Sequence, residues 1–276
     1  MSNLITRARA LYNLNNLSTT ATENTTLDAL IAAVSAGIER WCRRYFVSTQ
    51  YDEVYDGTDA TELVLQHFPI ISVERVAFDP TAVLLVQNTS ASNQRATVQV
   101  TSTGVTLTRV ASGVSSASTV TFAANVTLTA LAAAINALGN GWSATLASSD
   151  FANRASADLR ALQGAYAAKD SAAELTIHLQ ELAGYDSDPP HGFLTRSDGW
   201  KGGSQSWRVI YTAGYASVPE DVQEACAQWV AILFWQTKRD PGLAHETVTG
   251  SVARTPHWVM PLSVRLLLEP YRALRA

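Results

Sequence analysis

Apolar positions along the chain change period several times, and each change marks an element. Leu27, Leu30, Ile31, Val34, Ile38, Trp41, Cys42 and Tyr45 recur at three- and four-residue intervals, which predicts a helix over residues 27–46 with one buried face. Thr25 or Thr26 can cap it, and Arg40, Arg43 and Arg44 suit the negative end of its dipole. A shorter helix over residues 6–14 starts from Thr6 as N-cap, and a polar linker over residues 15–26 joins the two. From Tyr51 the period falls to two, predicting three short strands near residues 51–57, 62–66 and 70–76, broken at Asp56-Gly57 and Phe68-Pro69. The second strong helix follows Ser217-Val-Pro-Glu220, where a capping-box pair flanks a proline. It carries Val222, Ala225, Cys226, Trp229, Val230, Leu233 and Phe234 until Asp240-Pro-Gly242 stops it. A last helical stretch over residues 262–274 holds Leu266, Leu267, Leu268 and Tyr271, with Pro270 imposing a kink or break.

Between these segments the character changes. Residues 79–205 hold 16 charged side chains in 127 positions, against 28 in the other 149, and their first half is rich in Ser and Thr. That shift predicts an inserted domain over 79–205 within a host domain made of residues 1–78 and 206–276. The block alternates as strands near residues 83–86, 96–100, 105–110, 119–122, 142–147 and 174–179. One helix with Leu128, Leu131, Ile135 and Leu138 interrupts them and ends at Gly139-Asn-Gly141, and residues 185–205 read as a Gly/Pro/Asp-rich return loop. The fold class is therefore α+β, a helical unit of three to four helices plus a small antiparallel β element, with a small β-rich α+β insertion.

Composition narrows the chemistry. Twenty Lys and Arg against 24 Asp and Glu give a net charge of −4, which disfavours non-specific attraction to a phosphate backbone. Two cysteines are too few for a disulfide framework and have no zinc-ligand spacing. The most apolar run, residues 225–235, is too short to span a bilayer, and the first residues show no signal-peptide core, so no membrane role is expected. His245-Glu-Thr-Val-Thr249 starts like a zinc-protease motif but has Thr where the second ligand belongs. Gly199-Trp-Lys-Gly-Gly-Ser204 lacks the residue order of a phosphate-binding loop, and the five histidines have no acid–nucleophile pattern beside them. No enzyme activity, metal or cofactor is expected.

The outer segments resemble a known family. Leu4-Ile-Thr, the helix from Leu27 to Phe46, Tyr55-Asp-Gly, Leu63-Val-Leu and Pro69-Ile-Ile-Ser-Val are similar to the head-tail connector, or neck adaptor, proteins of long-tailed double-stranded DNA bacteriophages. So are Trp207-Arg-Val-Ile-Tyr-Thr-Ala-Gly-Tyr-Ala-Ser-Val-Pro-Glu-Asp-Val and Met260-Pro-Leu-Ser-Val-Arg-Leu-Leu-Leu-Glu-Pro-Tyr-Arg272. The resemblance covers about half the chain and skips residues 79–205, which inherit nothing from it. It implies a structural virion protein of the neck, assembled in the host cytoplasm, whose ring of about twelve copies docks on the portal. It also implies a tail-side neck or tail terminator partner, and genomic DNA passing through without sequence-specific binding.

From this follow the expected residues. Leu30, Ile31, Val34, Ile38, Trp41, Cys42, Val222, Cys226, Trp229, Val230 and Leu233 form the protomer core. Trp258, Arg265, Leu266, Leu267, Leu268, Tyr271, Arg272 and Arg275 meet the portal or a neighbouring ring. A rival reading makes the insertion a binding module that recognises a glycan or host ligand through Trp142, Trp200 and residues 185–191. A weaker third has a hydrolase using Asp186, Asp188 and His191.

Overall fold

Two capped helices open the chain. Thr6 caps α1 (Arg7–Asn13), its hydroxyl accepting from the Arg9 N–H. The longer α2 (Ala21–Cys42) begins a turn and a half before its apolar stripe, because Thr20 and Glu23 close a reciprocal capping box there. Thr25 and Thr26, expected as caps, instead lie inside the helix and bond back to the Ala21 and Thr22 carbonyls at 3.1 Å. The helix stops at Cys42, short of Phe46, because Arg43 turns left-handed with φ 55°.

The strands follow as β1 (Thr49–Gly57), β2 (Glu62–Val64), β3 (Ile70–Asn88), β4 (Asn93–Val100), β5 (Gly104–Ala111) and β6 (Val114–Thr121). Then come α3 (Leu128–Ala137), β7 (Trp142–Leu146), β8 (Tyr166–Ala167), β9 (Ala173–Glu181), β10 (Asp186–Asp188), β11 (Phe193–Thr195) and β12 (Gly203–Ala213). Two helices, α4 (Glu220–Thr237) and α5 (Leu262–Leu268), end the order. The fold is α+β, and this computed structural model describes residues 3–161, 164–238 and 260–273. Among the described residues no helix is long and apolar enough to cross a membrane.

Three apolar clusters fill the fold. The first is helical: Leu4, Ile5, Ala10 and Leu14 meet the buried faces of α2, α4 and α5. Ile31, Val34, Ile38, Cys42, Val222, Cys226 and Val230 are buried there, whereas Leu30, Trp41, Trp229 and Leu233 pack against its edge. Trp229 reaches α2 at Gly37, where an added Cβ would lie 3.2 Å from its ring. Both thiols are free, and burial pushes Cys42 and Cys226 up to about 12. Pro219, rather than Ser217, occupies the N-cap of α4; it offers no side-chain acceptor, and Glu220 and Asp221 sit in the first turn, where acids suit the dipole. After α5 the chain tightens into a 3-10 turn at Glu269–Tyr271, since Pro270 supplies no N–H to continue the α-helix.

The second cluster lies on antiparallel strands β1, β12 and β3, paired in that order, and holds Tyr55, Leu63, Leu65, Ile70, Val76, Trp207, Val209 and Tyr211. Leu194 and Trp200 complete it. Residues 185–205 are thus not a featureless return. They carry β10 and β11, which join β2 in a sheet of order β10-β11-β2, and the indole N–H of Trp200 donates to the Thr61 and Leu194 carbonyls at 3.2 Å.

The third cluster runs from Val83 to Ile177 and packs β4, β5 and β7 with α3. It joins the second through β3, which is one strand where the sequence suggested two. Its first half pairs with β12, its second with β9 and β7, and the chain bends at Asp79, which has φ 65°. Arg208 pins the junction: its guanidinium makes two bonds to the Asp52 carboxylate, at 2.7 and 2.6 Å, and a third to the Asp158 carbonyl at 2.5 Å. Arg75 reaches Asp158 Oδ1 at 3.1 Å from the same sheet.

Because Ala82 and Thr176 are cross-strand partners, an Asn-Gly turn can replace residues 83–175 and rejoin β3 to β9 as a hairpin. That chain should keep a cooperative melt and the near-ultraviolet circular dichroism of Trp200 and Trp207, whose rings meet edge to face at 4.8 Å. Replacing residues 79–205 instead should abolish that signal while far-ultraviolet helicity remains; equal behaviour of the two deletions would contradict this placement of the cores.

Candidate functional site

The C-terminal segment meets the end of α2 at one end of the helical unit. The Ala273 N–H donates to the Cys42 carbonyl at 2.8 Å, closing the C-terminus of α2. The Arg272 guanidinium lies over the Trp41 ring, 5.4 Å from its centre, and Tyr271 packs edge-on to Phe46 and Tyr215. Beside this seam the last turn of α2 and its cap surround a cleft of about 370 Å³ with Glu39, Arg40, Arg43, Arg44, Tyr45 and His67 on its walls. Arg44 is tied down, bonding the Tyr215 hydroxyl at 3.1 Å and covering the Phe68 ring. Arg40 and Arg43 are exposed and make no ion pair among the described residues. Burial raises the Glu39 carboxyl pKa against the opposing hydrogen bond from the Phe46 N–H, which weakens its claim on those cations. The arrangement can receive an anionic group.

Beside the cleft lies a half-buried polar knot. Glu53 accepts from the hydroxyls of Tyr55 at 2.5 Å and Tyr211 at 2.7 Å, and His67 Nε2 stands 3.3 Å from its other oxygen. Those hydroxyls in turn accept from the Gln66 and His67 N–H groups, and the Tyr51 ring stacks on His67 at 3.8 Å. Burial alone would raise Glu53, but the bonds from His67, Tyr55 and Tyr211 outweigh it and hold its pKa below the usual carboxylate value. Burial raises both tyrosines, and the adjacent Glu53 carboxylate adds to it.

The residues expected to meet a partner divide three ways. Trp258 and Arg275 lie outside the described residues. Leu268 is fully buried, Leu267 packs against the helical core, and Tyr271 is half-buried within the seam, so these hold α5 in place. Arg265, Leu266 and Arg272 face outward, Arg272 with Glu269 at 3.9 Å, and Leu262 joins them: Leu262 is 70% and Leu266 67% exposed. Trp235 and Ile232 of α4 are also exposed. Sequence reasoning explained Arg40, Arg43 and Arg44 wholly by the helix dipole; the signal for a cleft was their spacing, which sends three guanidinia around one helix end.

The rival sites fare differently. Trp142 and Trp200 are buried, so neither ring is presented to a sugar. His191 Nδ1 pairs with Asp188 at 2.9 Å on the surface, and among the described residues no three metal-ligating side chains cluster.

No protein-family model and no curated protein match the chain. Among solved structures, it is similar to a chain from "Neck of empty GTA particle computed with C6 symmetry", at 13% identity over 99% of this chain and 91% of that one, with a TM-score of 0.42. It is also similar to a chain from "Virion of native gene transfer agent (GTA) particle", at 15% identity over 99% and 91%, with a TM-score of 0.36. A third, from "Neck of native GTA particle computed with C12 symmetry", has 15% identity over 100% and 97%, and a TM-score of 0.31.

The lowered pKa of Glu53 sets a pH dependence. A carboxyl whose folded value lies below its unfolded one, about 4.3, adds stability that is full above that value and lost as pH falls through the folded value. Melting temperature should therefore drop on acidification below about pH 4.5, and Glu53→Gln should flatten part of that slope. Superimposable slopes for the two proteins in pH-resolved melts would sink the assignment.

Proposed function

We propose that this chain is a structural protein of a phage-type neck, a ring-forming connector between a DNA-filled head and a tail. One observation carries the reading: the helical parts of the segments that resemble connector proteins, residues 4–46 and 222–268, close around a single core although more than a hundred positions separate them, and the inserted cluster shares none of it. A ring of about twelve copies needs heterologous contacts, in which one patch of a copy meets a different patch of the next. The outward side of α5, with Leu262, Arg265 and Leu266, and the basic cleft of Arg40 and Arg43 are two such patches of unlike chemistry. The portal on one side and a tail-side neck or terminator protein on the other are the partners of this ring. A net charge of −4 lets genomic DNA slide through the channel without a grip on its phosphates. The role asks for no catalytic group and no cofactor, and the inserted domain stands outside the ring, where room grows with radius.

Leu262→Asp with Leu266→Asp tests this directly. Both side chains are mostly exposed, so the fold should change by no more than about 0.5 kcal/mol at each site. In a complementation assay, tailed particles should fall at least about tenfold, with full heads and free tails accumulating, a loss of about 1.4 kcal/mol or more in effective docking. Wild-type particle yield with the variant incorporated would remove α5 from the interface.

A further inference from the structure

Strand β6 ends the four-stranded sheet β6-β5-β4-β8, and its outer edge is unguarded. It pairs with β5 in unbroken register, from Gly104 opposite Thr121 to Ala111 opposite Val114. Ser112 and Gly113 form the turn with φ of 50° and 76°, the left-handed pair that a tight two-residue hairpin requires. Its sequence, VSSASTVT, has no charge, proline or glycine, and every residue but Val120 is exposed. Sheets normally protect a strand like this with charge, shortness, bulges or a cover.

The other edges of this protein are protected. β1 carries Asp52, Glu53 and Asp56, and β9 carries Glu174 and Glu181. The outer side of β7 is bracketed by Asn136, whose amide donates to the Ala144 carbonyl at 3.0 Å and whose oxygen accepts the Ala144 N–H at 2.7 Å. β2, β8 and β10 are two or three residues long. Among the described edge strands only β6 is long, in unbroken register and neutral, which points to an edge that is covered in the working protein.

The order of residues says by what. In an antiparallel ladder the residues flanking a tight turn bond inward, so Val114, Ser116, Ser118 and Val120 spend their backbone groups on β5 and Ser115, Ala117 and Thr119 direct theirs outward. Thr119 and Thr106, a pair that this alternation leaves without mutual backbone bonds, sit close enough for their hydroxyls to meet at 3.2 Å. A two-fold axis through Ala117 then sets Ser115 opposite Thr119, Ser116 opposite Ser118 and Val114 opposite Val120. Like meets like at every position, and the outward N–H and C=O groups fall in register with one another. We infer that β6 pairs antiparallel with β6 of a second copy of this chain about a two-fold axis at Ala117, joining two sheets into one.

This contact differs from ring closure. Copies within one ring face the same way along its axis, so a two-fold edge pair joins chains that are not ring neighbours. It is read on the purified full-length chain and stands or falls apart from the neck reading.

The test uses sedimentation across a range of concentrations, with three substitutions on the exposed strand. Ala117→Lys restores the missing edge charge and should raise the dimer dissociation constant at least about tenfold, with unchanged circular dichroism. A117C should give a covalent dimer under mild oxidant, because directly opposed residues of a bonded pair stand about 5.5 Å apart at Cα, within disulfide reach. S115C should not, since the axis places Ser115 opposite Thr119; the native thiols Cys42 and Cys226 are buried and do not compete. A monomer at all concentrations, a dimer indifferent to A117K, or equal cross-linking of A117C and S115C would overturn the proposal.

Discussion

Strand β3 is the constraint on which the architecture rests. One extended segment cannot rotate its two halves independently, so sharing it fixes the inserted cluster against the host sheet. The bend at Asp79 changes the direction of the strand without ending it. Arg208 and Arg75 then lock the angle. Each starts on the host sheet and reaches across to Asp158, and Arg208 also holds Asp52 with a planar fork of bonds. The buried guanidinium of Arg208 is tolerated because its donors face acceptors, a carboxylate and a carbonyl.

The helical unit is organised differently. Its elements come from the two ends of the chain and are held by apolar burial, with polar contacts mostly at the rim, such as Arg9 with Glu220 and Glu224 and Arg7 with Asp28. Exposed ion pairs of this kind add little stability, so the packing of α2, α4 and α5 bears the fold. The outer face of α5, with Leu262 and Leu266 mostly exposed, takes little part in that packing.

Long periodic stretches were legible in the sequence. The apolar stripes of α2 and α4, the Leu128–Leu131–Ile135 face of α3 and the alternation in β4 and β5 each recur often enough to outweigh local noise. What escaped was set by pairing across distance. β10 and β11 are three residues each and exist because β11 lies between β2 and β10, and Trp200 is buried because Thr61 and Leu194 carbonyls meet its N–H. Asp79-Pro80 resembles a strand end locally, yet Pro80 faces His178 of β9 and the strand continues. At the candidate site, single side chains were identified but not their division: the spacing of Leu266, Leu267 and Leu268 does not by itself say which of the three turns inward onto α4. The start of α2 was legible in principle, since Thr20 and Glu23 already have the capping spacing.

The junction at Ala273 and Cys42 has a mechanical meaning. Where force enters a folded chain, the route it takes matters as much as equilibrium stability. With the last described residue stitched to the end of α2, tension entering through α5 passes straight into the longest helix and across to α4. The inserted cluster hangs from two neighbouring strands as a side branch, outside that line of force. A lineage of such chains could enlarge, shrink or exchange the branch while the strut that carries the strain stays the same.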